Sequence, residues 1–101
     1  MYRVLVHLNV IDFNRLAEFE DQAADIMADY GGQIRDAYEV TRQGIGPGTE
    51  IHLVEFPNED AFQQYRCDNR LLALASLRDS AIVGMSVQRL GAQKQYGTSQ
   101  H

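Results

Sequence analysis

Apolar side chains alternate with other side chains over residues 2–10. One face of this stretch would hold Tyr2, Val4, Val6, Leu8 and Val10, and the other Arg3, Leu5, His7 and Asn9. A period of two predicts a β-strand. Because Leu5 lies among the polar residues, we expect the second face to be mixed and not simply solvated.

The next stretch predicts a helix, because its apolar residues recur every three or four positions. That apolar stripe contains Leu16, Phe19, Ala23, Met27 and Tyr30. Asp12 is the predicted N-cap, since a carboxylate can accept from the free backbone N–H groups of the first turn. Gly31-Gly32 is the predicted end, because glycine readily adopts the left-handed conformation that closes a helix.

Three further strands are predicted from alternation at about 33–42, 49–56 and 81–90. In the first, Ile34, Tyr38 and Val40 share one parity, and the polar character of the other suggests an edge strand. The second is apolar enough to be central, and Pro57 is tolerated at its end.

Two short helical segments separate the last two predicted strands. Asn58 is the expected N-cap of the first, and Asp68 caps a second that continues through Arg78. The resulting β-α-β-β-α-β order predicts a ferredoxin-like α+β fold, a four-stranded antiparallel sheet with helices on one face. We expect one domain over residues 1–91 and a polar tail over 92–101.

The face without helices should still carry apolar side chains, including Leu5, residues of the fourth strand, and either Leu53 or Val54. A second copy of the chain would cover this face most simply. The sequence therefore predicts a homodimer of the dimeric α+β-barrel type.

Composition and charge narrow the class of protein. The 101 residues carry a formal charge of −5, which argues against nucleic acid and against anionic membranes as partners. Cys67 is the single cysteine and cannot form an internal disulfide. With no signal peptide and no apolar run of ~20 residues, a cytoplasmic domain is expected.

Several residues carry a resemblance to a known family. Glu55-Phe56-Pro57, Ala61, Tyr65 and the pair Leu74 and Arg78 resemble a family of small bacterial proteins of unknown function in the dimeric α+β-barrel superfamily, and Gly31-Gly32 looks like its glycine pair. Two positions depart from it: residues 68–71 replace its Ser-Pro-Glu-Tyr, and both Arg35 and Arg42 compete for its strand arginine. The superfamily includes cofactor-independent monooxygenases, haem-degrading enzymes, isomerases and ligand-sensing domains.

Glu55 is the predicted catalytic base, because a carboxylate in an apolar strand is costly unless it is paired or faces a cavity. The structural alternative is an ion pair with Arg78 or Arg3. His7 is the second catalytic candidate, as a proton shuttle, and the alternative is a hydrogen-bonded structural histidine. If the first and third strands are neighbours, His7 and Glu55 could approach each other.

Asn9, Arg78 and Tyr65 are the predicted ligand-binding residues, with Arg78 holding an anionic group. Three functions remain open at this point. The chain could be a cofactor-independent oxygenase or isomerase acting on a small apolar molecule in a pocket between sheet and helices. It could instead be a binding or sensing module with the same pocket, or a purely structural dimer.

We predict no metal site and no cofactor. His7 and His52 lack a third ligand at a recognisable spacing, and His52 should lie on the opposite sheet face from Glu55. The GIGPG segment at 44–48 lacks the Lys-Ser/Thr end and the following helix of a phosphate loop, so a hairpin connection is expected. Cys67 is more simply incidental than reactive.

Overall fold

In the computed structural model, residues 1–42 and 47–97 are described. The elements in chain order are β1 (Tyr2–Val10), α1 (Phe13–Ala28), β2 (Gln33–Arg42), β3 (Gly48–Phe56), α2 (Glu59–Arg66), α3 (Asn69–Leu72), α4 (Ala75–Ala81) and β4 (Ile82–Arg89). Most of the predicted GIGPG hairpin and the end of the predicted tail lie outside the described residues.

The four strands form one antiparallel sheet in the order β2-β3-β1-β4. This order confirms the predicted ferredoxin-like fold, with β2 at an edge, β3 in the interior, and β1 beside β3. At the middle of the sheet, Val6 lies opposite His52 on β3 and opposite Val87 on β4. The residues of this parity face the helices, and we call the other side of the sheet the open face.

The ends of α1 follow the predicted signals. The Asp12 carboxylate accepts from the backbone N–H of Arg15 at 3.0 Å. After the helix, Gly31 has a φ of +73°, its N–H donates to the Ala28 carbonyl, and the Gly32 N–H donates to that of Met27. These bonds form a Schellman motif, in which a left-handed glycine satisfies the last helix carbonyls.

The predicted second helix after Asp68 is wrong in its extent. The Asp68 side chain caps α3 as expected, but α3 ends at Leu72 and α4 begins at Ala75. Leu74 has φ −89° and ψ 7°, outside the helical range, and no side chain caps α4. The break has no glycine or proline to announce it, and it allows Leu71 and Leu72 to face the sheet while α4 packs against α1.

The single parity predicted for β2 is also wrong. The register of β2 against β3 shifts between Ile34 and Asp36, which marks a β-bulge at Arg35. Ile34 lies opposite Val54 on the helix side, whereas Tyr38 lies opposite Ile51 on the open face and is 65% exposed. An extra residue in the strand exchanges the two faces beyond it.

The core between sheet and helices has two parts. The first cluster lies near α4 and contains Leu8, Val10, Phe13, Leu16, Ala81 and Ile82. The second cluster lies near α2 and contains Val4, Met27, Val54, Phe56 and Phe62. Val6 packs against both clusters from the centre of the sheet. This division leaves room between them for the cavity described next.

The open face is mixed, as the alternation of β1 predicted. Leu5, Ile51 and Leu53 are half-buried there, whereas Val54 belongs to the core. A homodimer that covers this face stays a prediction. Among the described helices, none has the length and hydropathy that a membrane crossing requires.

Candidate functional site

A cavity of about 200 Å³ lies between the sheet and the helices, and residues of both core clusters line it. Most of its wall is apolar, with Val6 and Val54 on the sheet side and Phe19 on α1. The polar or charged groups that reach it are Glu20, His52, Tyr65, Arg66 and Arg78. An apolar cavity with a few polar groups is the usual form of a small-molecule site.

His52 is the polar centre of this cavity. Its side chain is almost fully buried, with 4% of its surface exposed. The ring nitrogen Nε2 lies 2.7 Å from Oε1 of Glu50, two residues earlier on β3, and Nδ1 lies 3.9 Å from Oε2 of Glu20 on α1. The imidazole is therefore held between two carboxyl groups from different elements.

Only one of the two carboxyl groups is close enough to form a hydrogen bond with His52. Glu50 is within hydrogen-bond distance, and because an ionised carboxylate only accepts, the Nε2–H of His52 donates to it. The distance from Nδ1 to Glu20 is too long for a hydrogen bond. In this tautomer, Nδ1 carries a lone pair on the side of Glu20 and can accept a proton.

Burial shifts the pKa of Glu20 and that of Tyr65. It raises the pKa of the Glu20 carboxyl above its ordinary value, opposed by the nearby His52 ring and assisted by Glu50 and Asp21. Burial, followed by the neighbouring Glu20 carboxylate, raises the pKa of the Tyr65 hydroxyl. The cavity wall therefore holds a carboxyl group that takes up a proton more readily than usual, beside a tyrosine that keeps its own.

The opening of the cavity is marked by its solvent-exposed members, Arg66, Leu72 and Met85. Arg66 lies over the Phe62 ring, with its guanidinium carbon 5.4 Å from the ring centroid. Arg78 is partly exposed, and its Nε and Nη2 atoms each lie 3.2 Å from Oδ1 of Asp79. Two of the predicted ligand-binding residues, Arg78 and Tyr65, thus line the cavity.

A network of polar contacts fixes α3, which forms part of the cavity wall. The Tyr30 hydroxyl donates to Asp68 at 2.6 Å, and Arg70 bridges Asp68 and Asp29 at 3.0 and 2.8 Å. The bonds from Arg70 and then from Tyr30 hold the pKa of the Asp68 carboxyl well below its usual range. Asp68 thereby ties the end of α1 to the start of α3, at a position where this chain departs from the resembled family.

Glu55 lies on the open face, away from the cavity. Its carboxylate is 2.8 Å from Nε of Arg3 and 3.1 Å from Nη1 of Arg35, and Gln33 approaches at 3.4 Å. The predicted ion pair between Glu55 and Arg3 is present. The second partner of Glu55 is Arg35, and not the Arg78 that was predicted as an alternative. Burial alone would raise the pKa of Glu55, but the hydrogen bonds and charges of Arg3 and Arg35 lower it.

His7 and Asn9 are exposed on the same open face. His7 lies opposite Ile51, four residues along β3 from Glu55. At about 3.3 Å per residue, this separation is roughly 13 Å, so His7 and Glu55 do not meet. The structure divides the five predicted residues between two faces, and catalytic roles for Glu55 and His7 stay a prediction.

We expect Glu55→Gln to lower the thermal midpoint at pH 7 and to lose this effect in acid. Since the folded pKa of Glu55 lies below its ordinary value of 4.5, its ionised form stabilises the fold above that pH, and the stabilisation disappears as the pH falls through the folded pKa. Thermal unfolding of variant and wild type from pH 7 down to pH 3 measures this. Glu18→Gln, at an exposed position of α1, is the matched control, and a pH-independent difference for Glu55→Gln would contradict the expectation.

The residues that sequence reasoning missed are Glu20, Glu50 and His52. His52 shares parity with Val54 and Phe56 in a strand predicted to be central, and a histidine on a core-facing position needs a buried polar partner. That signal was present in the sequence, whereas the partner on α1 was not visible there. Within residues 1–42 and 47–97, no group of three or more His, Cys, Asp or Glu side chains is arranged to hold a metal ion.

No protein-family model matches the chain, and no curated protein matches its sequence. Solved structures do match its fold. SnoaB, a cofactor-independent oxygenase from Streptomyces nogalater, is 11% identical with a TM-score of 0.66, over 93% of this chain and 94% of that protein. A putative antibiotic biosynthesis monooxygenase from Nitrosomonas europaea is 11% identical with a TM-score of 0.67, over 93% and 100%. A protein of unknown function from Rhodopseudomonas palustris is 16% identical with a TM-score of 0.73, over 93% and 84%.

At these identities the matches establish the ferredoxin-like α+β fold and nothing narrower. They are compatible with a small-molecule enzyme, since cofactor-independent oxygenases share the fold, and proteins of unknown function share it too. The resemblance to the Glu-Phe-Pro family stays a prediction.

Proposed function

We propose that the chain is a cofactor-independent enzyme that removes a proton from a small, largely apolar molecule bound in the cavity between sheet and helices. The observation that carries the proposal is His52, buried in an apolar wall, with Nε2 bonded to Glu50 and Nδ1 unbonded beside Glu20. A histidine oriented by a carboxylate through one nitrogen and free at the other is the arrangement of a general base.

In this mechanism Nδ1 of His52 accepts the proton from an acidic C–H of the substrate. The electron pair of that bond stays on the substrate, and Glu50 and Glu20 stabilise the imidazolium by their charge. If the proton returns to a different carbon, the reaction is an isomerisation. If the carbanion forms a bond to dioxygen, the proton returns to the distal oxygen to give a hydroperoxide, and the reaction is an oxygenation.

Two features support an enzyme in preference to a purely structural dimer. The cavity is separate from the open face, so covering that face would leave the cavity unfilled. Burial also raises the pKa of the Glu20 carboxyl beside His52, and carboxyl groups shifted by burial are frequent at catalytic sites. A binding or sensing module would use the same cavity without turnover, and it is the alternative that the experiment must separate.

We further propose that the chain forms a homodimer through the open face, as the half-buried Leu5, Ile51 and Leu53 require a cover. The Glu55 ion cluster would then lie at the dimer interface. Membership of the small bacterial Glu-Phe-Pro family is part of the same proposal, since its resemblance includes Tyr65 and Arg78 of the cavity wall.

The test is deuterium exchange of small carbon acids in D2O, followed by NMR, with oxygen consumption recorded in parallel. His52→Gln keeps an amide donor for Glu50 but has no base, so exchange should fall by about 10²–10⁴-fold. His7→Gln makes the same chemical change on the open face and should leave the rate unchanged. Loss of exchange in His7→Gln alone would instead support the proton shuttle that the sequence predicts at His7.

Folding and binding must be followed in the same variants. His52→Gln and His7→Gln should both keep the wild-type circular dichroism spectrum, and their thermal midpoints should lie within a few degrees of wild type. If wild type binds carbon acids in the cavity but exchanges none of their protons, the enzyme proposal fails and the binding module stands. Oxygen uptake coupled to exchange would assign oxygenase chemistry, and exchange without uptake would assign isomerase chemistry.

A further inference from the structure

The size of the cavity limits the ligand that it can hold. Its volume is about 200 Å³, and an apolar cavity of roughly 150 Å³ is known to bind benzene. A molecule of one ring or two fused rings with a short substituent therefore fits, whereas a fused three-ring system exceeds the space unless the wall moves. Proteins of the same fold can differ in this respect, because their cavities depend on side chains and not on topology.

The charges around the cavity are distributed unevenly. The only carboxyl group in the described lining is Glu20, beside His52. Arg66 and Arg78 both lie in the wall, and Arg66 is solvent-exposed at the opening. In a chain with a formal charge of −5, the described lining of the cavity thus holds two cationic side chains and one carboxyl group.

Both arginines are available to a ligand. Among the residues that the structure describes, Arg66 makes no ion pair, and its contact with the Phe62 ring leaves the edge of the guanidinium free to donate. Arg78 pairs with Asp79, whose side chain is 70% exposed. An ion pair in water is weak, so a ligand anion can replace Asp79 without a large loss.

From these three observations we infer the substrate class: an apolar molecule of one or two rings, or equally small, that carries one anionic group. Its rings lie in the apolar interior, and its carboxylate or similar anion binds an arginine of the cavity wall, Arg66 or Arg78. The inference rests on the proposed function for the site, and it adds the size and charge of the molecule that the site accepts.

Three compounds test size and charge separately by calorimetric titration, with NMR shifts to locate binding. Benzoate has the expected size and charge, benzamide has the same size without charge, and 2-anthracenecarboxylate has the charge with a three-ring system. We expect benzoate to bind several-fold more tightly than benzamide, because only benzoate carries a charge for the arginine guanidinium groups. 2-Anthracenecarboxylate should bind more weakly than benzoate, and the shifts on benzoate binding should lie on cavity residues such as Val6 and Phe19.

Variants assign the charge preference to the two arginines. Arg66→Gln and Arg78→Gln should each weaken benzoate binding several-fold and leave benzamide unchanged. Arg15→Gln, on the exposed side of α1, is the matched control and should change neither. Equal affinity for benzoate and benzamide, no response to either arginine variant, tighter binding of 2-anthracenecarboxylate than of benzoate, or no binding of any compound would each overturn the inference.

The same measurements keep this inference distinct from the proposed function. The His52→Gln variant should still bind benzoate more tightly than benzamide, because that change removes the base and keeps both arginines. If benzoate binding depends on the arginines but no small acid exchanges its proton, the ligand class stands and the enzyme mechanism is disproved. If proton exchange occurs but does not depend on the charge or ring size of the molecule, the enzyme mechanism stands and the ligand class is disproved.

Discussion

Replacing Phe56 with alanine should lower the free energy of unfolding by about 3–5 kcal/mol. Phe56 is fully buried, and its ring centroid lies 5.3 Å from that of Phe62 and 5.4 Å from that of Tyr65. The variant would lose the burial of the ring and leave a hole at the centre of the second cluster. Since domains of this size are stable by only ~5–15 kcal/mol, this is a large part of the total.

Urea unfolding followed by far-ultraviolet circular dichroism measures the loss. Tyr96→Ala is the matched control, because it also removes an aromatic ring, from a side chain that is 77% exposed. The control should change stability by less than about 0.5 kcal/mol. A cost below 1 kcal/mol for Phe56→Ala would contradict the packing of the second cluster described above.

Gly32→Ala is expected to be the next most damaging change, at about 1–3 kcal/mol. A Cβ at position 32 would lie 2.4 Å from Cε1 of Phe56 and 2.7 Å from Cγ of Met27, so that one or both of these side chains would have to shift. Gly91→Ala is the control, as an added Cβ there meets nothing within 4 Å. Equal stability of the two alanine variants would disprove the close approach of the chain to Phe56.

A double-mutant cycle makes the cause specific. Phe56→Leu removes the Cε1 and Cζ atoms that the new methyl group would strike, so Gly32→Ala should cost less in that background than in wild type. The sum of the losses in unfolding free energy of the two single variants should therefore exceed the loss of the double variant by at least about 0.5 kcal/mol. Additive losses would mean that Gly32 matters for its backbone and not for the ring beside it.

The fold was largely predictable because its main signals are local. The alternation of residues 2–10, the apolar stripe of α1, and the glycine pair after it each specify an element without reference to the rest of the chain. Two features were missed because they depend on packing. The break at Leu74 has no breaker residue, and the bulge at Arg35 shifts the register of β2 although Ile34 and Tyr38 share one parity in the sequence.

The candidate site was less predictable, for a related reason. Strand parity correctly predicted that His52 and Glu55 lie on opposite faces of the sheet. A carboxylate in an apolar strand, however, is a stronger sequence signal for a functional site than a histidine is. Glu20 lies four residues after Leu16 and three before Ala23, on the buried side of α1, but nothing in the local sequence pairs it with His52 on β3. The Glu55–Arg35 pair likewise depends on the bulge, which allows a strand residue with no regular partner to reach across.

The division of the core into two clusters has a consequence for how such a protein can diverge. Stability rests on Phe56 and its neighbours on one side and on the residues around Phe13 on the other, whereas Leu71, Leu72 and Met85 line the cavity and belong to neither cluster. Substitutions at these three positions can alter which molecule is accepted without removing a side chain that holds the fold. Duplicated copies of the gene could therefore explore new substrates at little risk of misfolding.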